Sequence, residues 1–172
     1  MKFKRSLAVL LAGLAALAGC NRPAGGETPG GDLSEPRQAQ PRLPTIKLWL
    51  GPEEIHAEMA VTPDQIRTGM MFRTNLAETD SMIFVLPYTQ RASFWMKNCY
   101  VPLSVAYIDP DGVILEIHDL QPQNTNSVVS TSENIRFALE TPQGWFQRHH
   151  IRAGVTVRTE RGSLMETFGQ KP

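Results

Sequence analysis

The chain has 172 residues, with 17 basic and 17 acidic side chains and no formal net charge. No Lys/Arg cluster follows its first few residues, which excludes the phosphate-neutralising surface that nucleic-acid binding requires. Its two cysteines, Cys20 and Cys99, exclude a disulfide framework.

The chain begins with Lys2, Lys4 and Arg5, followed by an uninterrupted small and apolar run over residues 7–18. Leu17-Ala18-Gly19-Cys20 closes this run, giving the layout of a secretory signal with a small-residue cleavage site. Residues 7–19 fall short of the roughly 17 to 25 needed to span a bilayer, so the segment is excluded from the fold. The four closing residues resemble a bacterial lipobox. That resemblance implies that residues 1–19 are removed and that Cys20 carries acyl chains such as palmitate, leaving an extracytoplasmic domain held to a membrane. The alternative is an ordinary signal peptide with a cysteine near the cut. Asn21, in place of an aspartate, resembles outer-membrane sorting in enteric bacteria, which for a Gram-negative source implies an anchor facing the periplasm. Loss of the leader takes Lys2, Lys4 and Arg5 with it, leaving 14 basic against 17 acidic side chains, a net charge of −3.

Residues 21–44 hold five Pro and four Gly with few apolar side chains. Such a segment cannot offset its ordering entropy and reads, together with Cys20, as a tether. As a flexible coil it would reach about 25–30 Å. Residues 45–172 show no repeat and no second Pro/Gly-rich break, so one globular domain is expected.

Within that domain, Ile46, Leu48 and Leu50 alternate with polar neighbours, as do Ile55, Ala57, Met59 and Val61, and Gly51-Pro52 supplies a turn between the two runs. A hairpin is predicted. Thr62-Pro63-Asp64-Gln65 carries a capping oxygen, a first-turn proline, a first-turn acid and a capping-box glutamine, predicting a two-turn helix ended by Gly69. Strands are predicted over 82–86, 92–96, 103–108 and 113–118, the last two joined by Asp109-Pro110-Asp111-Gly112. Residues 121–133 read as a surface loop, 135–141 as a strand, 142–150 as a short helix started by Pro142, and 155–160 as a closing strand. The tail from 165 reads as frayed. Roughly seven strands and two short helices predict a mostly β, single compact barrel-like or sandwich domain.

Gly69-Met70-Met71-Phe72-Arg73, Met82-Ile83-Phe84, Phe94-Trp95-Met96-Lys97-Asn98, Pro102-Leu103, Ile108-Asp109 and Leu139-Glu140 before Gly144-Trp145 are similar to the bacterial and archaeal domain-of-unknown-function family 192. The similarity runs in order from about Ile46 to Glu160. It implies an exported or membrane-tethered small β-rich domain and no established activity. The chain departs from the family pattern at Cys99, where threonine is frequent, at Ser104, where aspartate is frequent, and at Gly154-Val155, where Gly-Asp is frequent. The last two departures weaken any role for an obligatory acid at those places.

Strand alternation would send Phe94, Met96 and Asn98 to one face and Trp95 and Lys97 to the other. A ring beside an ammonium suits a small anionic or sugar-like ligand; the alternative has Trp95 filling the core while Lys97 reaches solvent. Arg73 enters after the first helix, and Glu140, following an apolar strand, would need a partner if buried; an Arg73–Glu140 pair is expected. Cys99 lacks a neighbouring histidine base and reads as a buried small residue, although Lys97 on the same strand face would lower its pKa. Adjacent His149 and His150, with His56 and His118 on separate strands, give no zinc spacing, so no metal is expected. No nucleophile elbow surrounds any serine, and the Gly pairs lie in the tether rather than between a strand and a helix, so no cofactor is expected. The sequence thus points to a lipid-anchored domain that binds a small ligand or an envelope partner through Arg73, Trp95, Lys97, Asn98 and Glu140. An envelope enzyme using a polar cleft around Arg73, Lys97 and Glu140, or a purely structural tethered module, are the alternatives.

Overall fold

The computed structural model describes residues 35–169. The leader, Cys20 and the greater part of the tether fall outside the described residues. The element order is β1 (Thr45–Leu50), β2 (Glu53–Ala60), α1 (Pro63–Thr68), β3 (Ser81–Gln90), β4 (Ser93–Phe94), β5 (Leu103–Ile108), β6 (Ile114–Leu120), β7 (Val128–Val129), β8 (Ile135–Pro142), α2 (Trp145–Arg148), β9 (Val157–Thr159), β10 (Gly162–Ser163) and α3 (Leu164–Phe168).

One curled eight-stranded sheet, ordered β10-β9-β1-β2-β3-β8-β5-β6, forms a half-barrel, and β4 pairs with β7 in a separate ribbon. The predicted β1–β2 hairpin forms around Gly51, whose φ of 62° suits a residue without a Cβ. The α1 crossover then makes β2 and β3 parallel, while the other pairings are antiparallel. At one end the edge strand β6 is bonded back toward β9. Val113 bridges Thr156, Ile114 N donates to the Val155 carbonyl at 2.9 Å, and Val157 N donates to the Gly112 carbonyl at 2.7 Å. This approach explains glycine at 112: its φ is 83°, and a Cβ there would lie 2.7 Å from the Val157 carbonyl oxygen.

Both faces of the sheet are covered. One carries Leu48, Leu50, Ile83, Phe137 and Leu139, packed with Trp145 and Phe146 of α2. The other carries Met82, Phe84, Val105 and Tyr107, packed under Met70, Met71, Met96 and Cys99. Central strands buried on both faces lose the polar-out alternation of a half-exposed strand. Glu58, which alternation sends to solvent, is therefore buried on β2.

Helix α1 forms as its capping signals predict. Thr62 Oγ1 accepts from Gln65 N at 3.3 Å, and Gln65 Oε1 accepts from Thr62 N at 3.0 Å. The predicted 92–96 strand contracts to β4, since its partner β7 offers two residues, inside the expected loop. Pro142 ends β8 instead of opening a helix, and α2 starts from Gly144 in a left-handed conformation. A third helix, α3, replaces the expected frayed tail; Ser163 and Glu166 form a second capping box.

The folded region also begins before Thr45. Met59 N donates to the Pro44 carbonyl at 2.9 Å, and the Gln40 amide donates to the Gly69 carbonyl at 2.9 Å. Arg42 and Leu43 bond to Glu58.

Candidate functional site

Register places Glu58, Met82, Glu140 and Val105 in one row across β2, β3, β8 and β5, and paired positions share a face of the sheet. Two carboxyl groups thus lie under the same roof, two strands or about 10 Å apart. Their environments differ.

Glu58 holds the guanidinium of Arg73. Arg73 Nη1 and Nη2 donate to Glu58 Oε1 and Oε2 at 2.7 and 2.8 Å, and both side chains are buried. Glu58 also accepts from Arg42 Nη1 and from Leu43 N, each at 2.8 Å. Arg42 is held in turn by both oxygens of Asp80, at 3.1 and 3.2 Å. Burial pushes the Glu58 carboxyl upward, but the bonds from Arg73, Leu43 and Arg42, with the Arg73 charge, outweigh it and hold the group at about 2. The expected Arg73–Glu140 ion pair is therefore corrected: Arg73 pairs with Glu58, the acid on the strand that alternation read as solvent-facing.

Glu140 has no such partner. It lines a cavity of about 320 Å³ between the end of α1 with Gly69, Met70 and Met71 on one side and Arg91 to Trp95 on the other, over Phe84 and Leu86. Among the described residues none donates a hydrogen bond to its side chain, and the compensating influence on it is the charge of Arg73. Burial pushes its carboxyl up to about 8 against that charge. At neutral pH it is predominantly the uncharged acid. Cys99 lines the same cavity; burial, then the nearby Glu140, push its thiol up to about 12. That value removes it as a nucleophile and agrees with the reading of Cys99 as a buried small residue.

The Phe94–Asn98 block is not a strand beyond Phe94. Phe94 turns toward the sheet, its ring edge-on to Phe84 at 5.0 Å, and Met96 is buried. Trp95 is 43% exposed and stands at the cavity wall, which replaces the core-filling reading of this residue. The Lys97 ammonium lies 5.3 Å from the centre of the Trp95 ring and pairs with Glu35. Asn98 adopts a φ of 60°, a conformation asparagine tolerates, and its carbonyl accepts from Phe72 N at 2.7 Å. Trp95 and Glu140 thus meet at the cavity, whereas Arg73, Lys97 and Asn98 are not among its lining residues.

Sequence reasoning missed Glu58, Met70, Met71, Phe84 and Arg91 as site residues. Arg91 reaches the cavity from a side chain held by the Ser130 and Thr131 carbonyls and by Glu133, at 2.8–2.9 Å. Ser104 bridges Asp119, at 2.5 Å, to Gly144 N, at 2.9 Å, and so anchors the start of α2. His118 bonds Glu116 and His149 bonds Glu53. Among the described residues no three His, Cys, Asp or Glu side chains converge as a metal-binding group.

These features define a curled half-barrel domain with a cavity lined by aromatic rings, thioethers, two arginines and the Glu140 carboxyl group. The chain belongs to domain-of-unknown-function family 192, DUF192, described as "Uncharacterized ACR", whose model matches residues 47–159. A Sinorhizobium meliloti crystal structure, described as that of a candidate transcription regulator, is similar at 28% identity and a TM-score of 0.62, covering 67% of this chain and 92% of that one. A protein of unknown function from Novosphingobium aromaticivorans is similar at 25% identity and a TM-score of 0.65, covering 78% of this chain and 99% of that one. No curated protein matches the chain. Among the described residues no helix is long and apolar enough to cross a membrane.

Proposed function

We propose that the protein is an extracytoplasmic lipoprotein, anchored through Cys20, whose DUF192 domain binds a small ligand in the cavity floored by Glu140. The observation that carries the reading is that carboxyl group. A buried polar group without a hydrogen-bond partner is a standing cost of folding, and here it lines open space large enough for a small molecule. Catalysis is not favoured, because the cavity's one thiol is held in its neutral form and no histidine lines the cavity to act as a base. The transcription-regulator description of the S. meliloti protein is not carried over, since a mature net charge of −3 gives no basis for DNA affinity.

The anchor rests on the basic start, the short apolar run and Leu17-Ala18-Gly19-Cys20, and Asn21 favours an outer-membrane anchor facing the periplasm. Cys20→Ala should block maturation or release the domain from the membrane fraction; unchanged processing and retention would refute lipidation. For the cavity, an NMR screen of small molecules against the mature chain should give hits that shift Met70, Met71 and Trp95 together. Hits that shift other regions and leave those three unmoved would refute the reading.

A further inference from the structure

Resting on that cavity reading, we infer that the ligand is an organic cation, an alkyl- or arylammonium ion whose nitrogen sits on the Glu140 carboxylate. The cations that an anionic ligand would use are already engaged. Arg73 spends both terminal nitrogens on Glu58, Arg91 is held by two carbonyls and Glu133, Arg67 pairs with Asp64, and Lys97 pairs with Glu35 outside the cavity. Beside Arg67 and Arg91, both already paired with acids, the cavity is lined by groups that favour positive charge: the rings of Phe84, Phe94 and Trp95, the thioethers of Met70 and Met71, and the Glu140 carboxyl. Aromatic faces and sulfur lone pairs attract a cation, and a desolvated carboxylate needs one.

The titratable or charged groups influencing Glu140 support the same occupant. Cys99 and Tyr107 are both pushed upward, by burial first and by Glu140 second, so they stay neutral and supply no counter-charge. Arg73 contributes charge but no hydrogen bond to Glu140. In the free domain the missing counter-charge is a proton. Binding exchanges it: the Glu140 O–H bond breaks, the proton leaves to solvent, and the ammonium ion takes its place on the resulting carboxylate. At about 30 Å³ per liquid-like water-sized group, 320 Å³ accommodates about ten non-hydrogen atoms.

The test is calorimetry of the mature chain at pH 7 with benzylammonium, benzyl alcohol and benzoate, in two buffers of different ionisation enthalpy. With the Glu140 acid midpoint at about 8, benzylammonium should release about 0.9 proton on binding. Glu140→Gln should weaken it at least tenfold and abolish the release, while benzyl alcohol binding changes little. The Gln variant conserves shape and removes the buried ionisation, and a thermal melt checks that it is folded. Benzyl alcohol or benzoate binding as tightly as benzylammonium would overturn the cation inference and leave the cavity reading standing. Benzylammonium binding without proton release, or unaffected by Glu140→Gln, would also overturn it. No binding of any of the three, with no NMR shift at Trp95 or Met70, would overturn both.

Discussion

Glu140→Gln isolates one buried ionisation and makes its contribution to stability measurable. In the unfolded chain the carboxyl titrates near its ordinary value of 4.5, and in the folded domain near 8. Below about 4.5 the acid is protonated in both states and the difference has no effect. As pH rises from about 4.5 to about 8, the unfolded chain ionises while the folded one holds its proton, so stability falls; above about 8 the loss is complete. At about 1.4 kcal/mol per pH unit, the ionisation costs about 1 kcal/mol at pH 5, about 3 at pH 7 and about 4 at pH 8. Glu58 acts with the opposite sign, but in another window: its stabilisation is present above 4.5 and is lost as pH falls toward about 2. The interval from pH 5 to 8 therefore reads Glu140 with little interference from Glu58. Urea denaturation across that interval should show the mature chain losing about 3 kcal/mol and the Gln variant staying nearly level, equivalent to roughly 10 °C in melting temperature. Parallel profiles for the two proteins, or a level profile for the unaltered chain, would refute the buried-acid account.

Arg73→Met should cost about 3–5 kcal/mol, because it leaves Glu58 buried with its main counter-charge gone, and adding Glu58→Gln should recover part of that; a loss under about 1 kcal/mol by denaturation would contradict the pairing. Truncation to Thr45 removes the Arg42 and Leu43 donors to Glu58, and should cost about 1–3 kcal/mol relative to a chain starting at Glu35; equal stabilities would show that residues 40–44 contribute nothing. Trp145→Ala should cost about 3–5 kcal/mol as a core cavity, whereas half-exposed Trp95→Ala should cost less than about 1.5, and equal losses would return Trp95 to the core. Lys97→Ala should change stability by no more than about 0.5 kcal/mol, its partner Glu35 being largely exposed, and a larger change in thermal melts would mean that the ammonium is locked into the fold.

Most of the fold was legible because its signals are local. The hairpin turn at Gly51, the capping box at Thr62 and the turn before Gly112 are each written in a few adjacent residues, and each formed where expected. The same signal was present and unread at Ser163-Leu164-Met165-Glu166, where the expectation of a loose terminus overrode a second capping box. Pro142 misled in the other direction, since a proline suits the end of a strand as well as the start of a helix. Pairing order was not legible at all. That α1 carries the chain across so that β2 and β3 run parallel, and that β8 lies between β3 and β5, depends on contacts between distant segments.

The pairing of Arg73 depended on that order, and this is why the sequence named Glu140 as its partner where the fold supplies Glu58. Glu140 stood out because it follows an apolar strand, and Arg73 because it enters the core after a helix. Glu58 looked like any outward residue of a half-exposed strand. Only once β2 lies beside β3, with Met70 to Arg73 folded over both, does Glu58 meet Arg73 and take both its terminal nitrogens. Among the described residues Arg73 is the buried cation beside two buried acids, and with both its terminal nitrogens on Glu58, Glu140 is left without a hydrogen-bonded counter-charge. Glu140 faces open space beside aromatic rings, thioethers and the acid-paired Arg67 and Arg91, and the proposed ligand would meet that carboxyl group first.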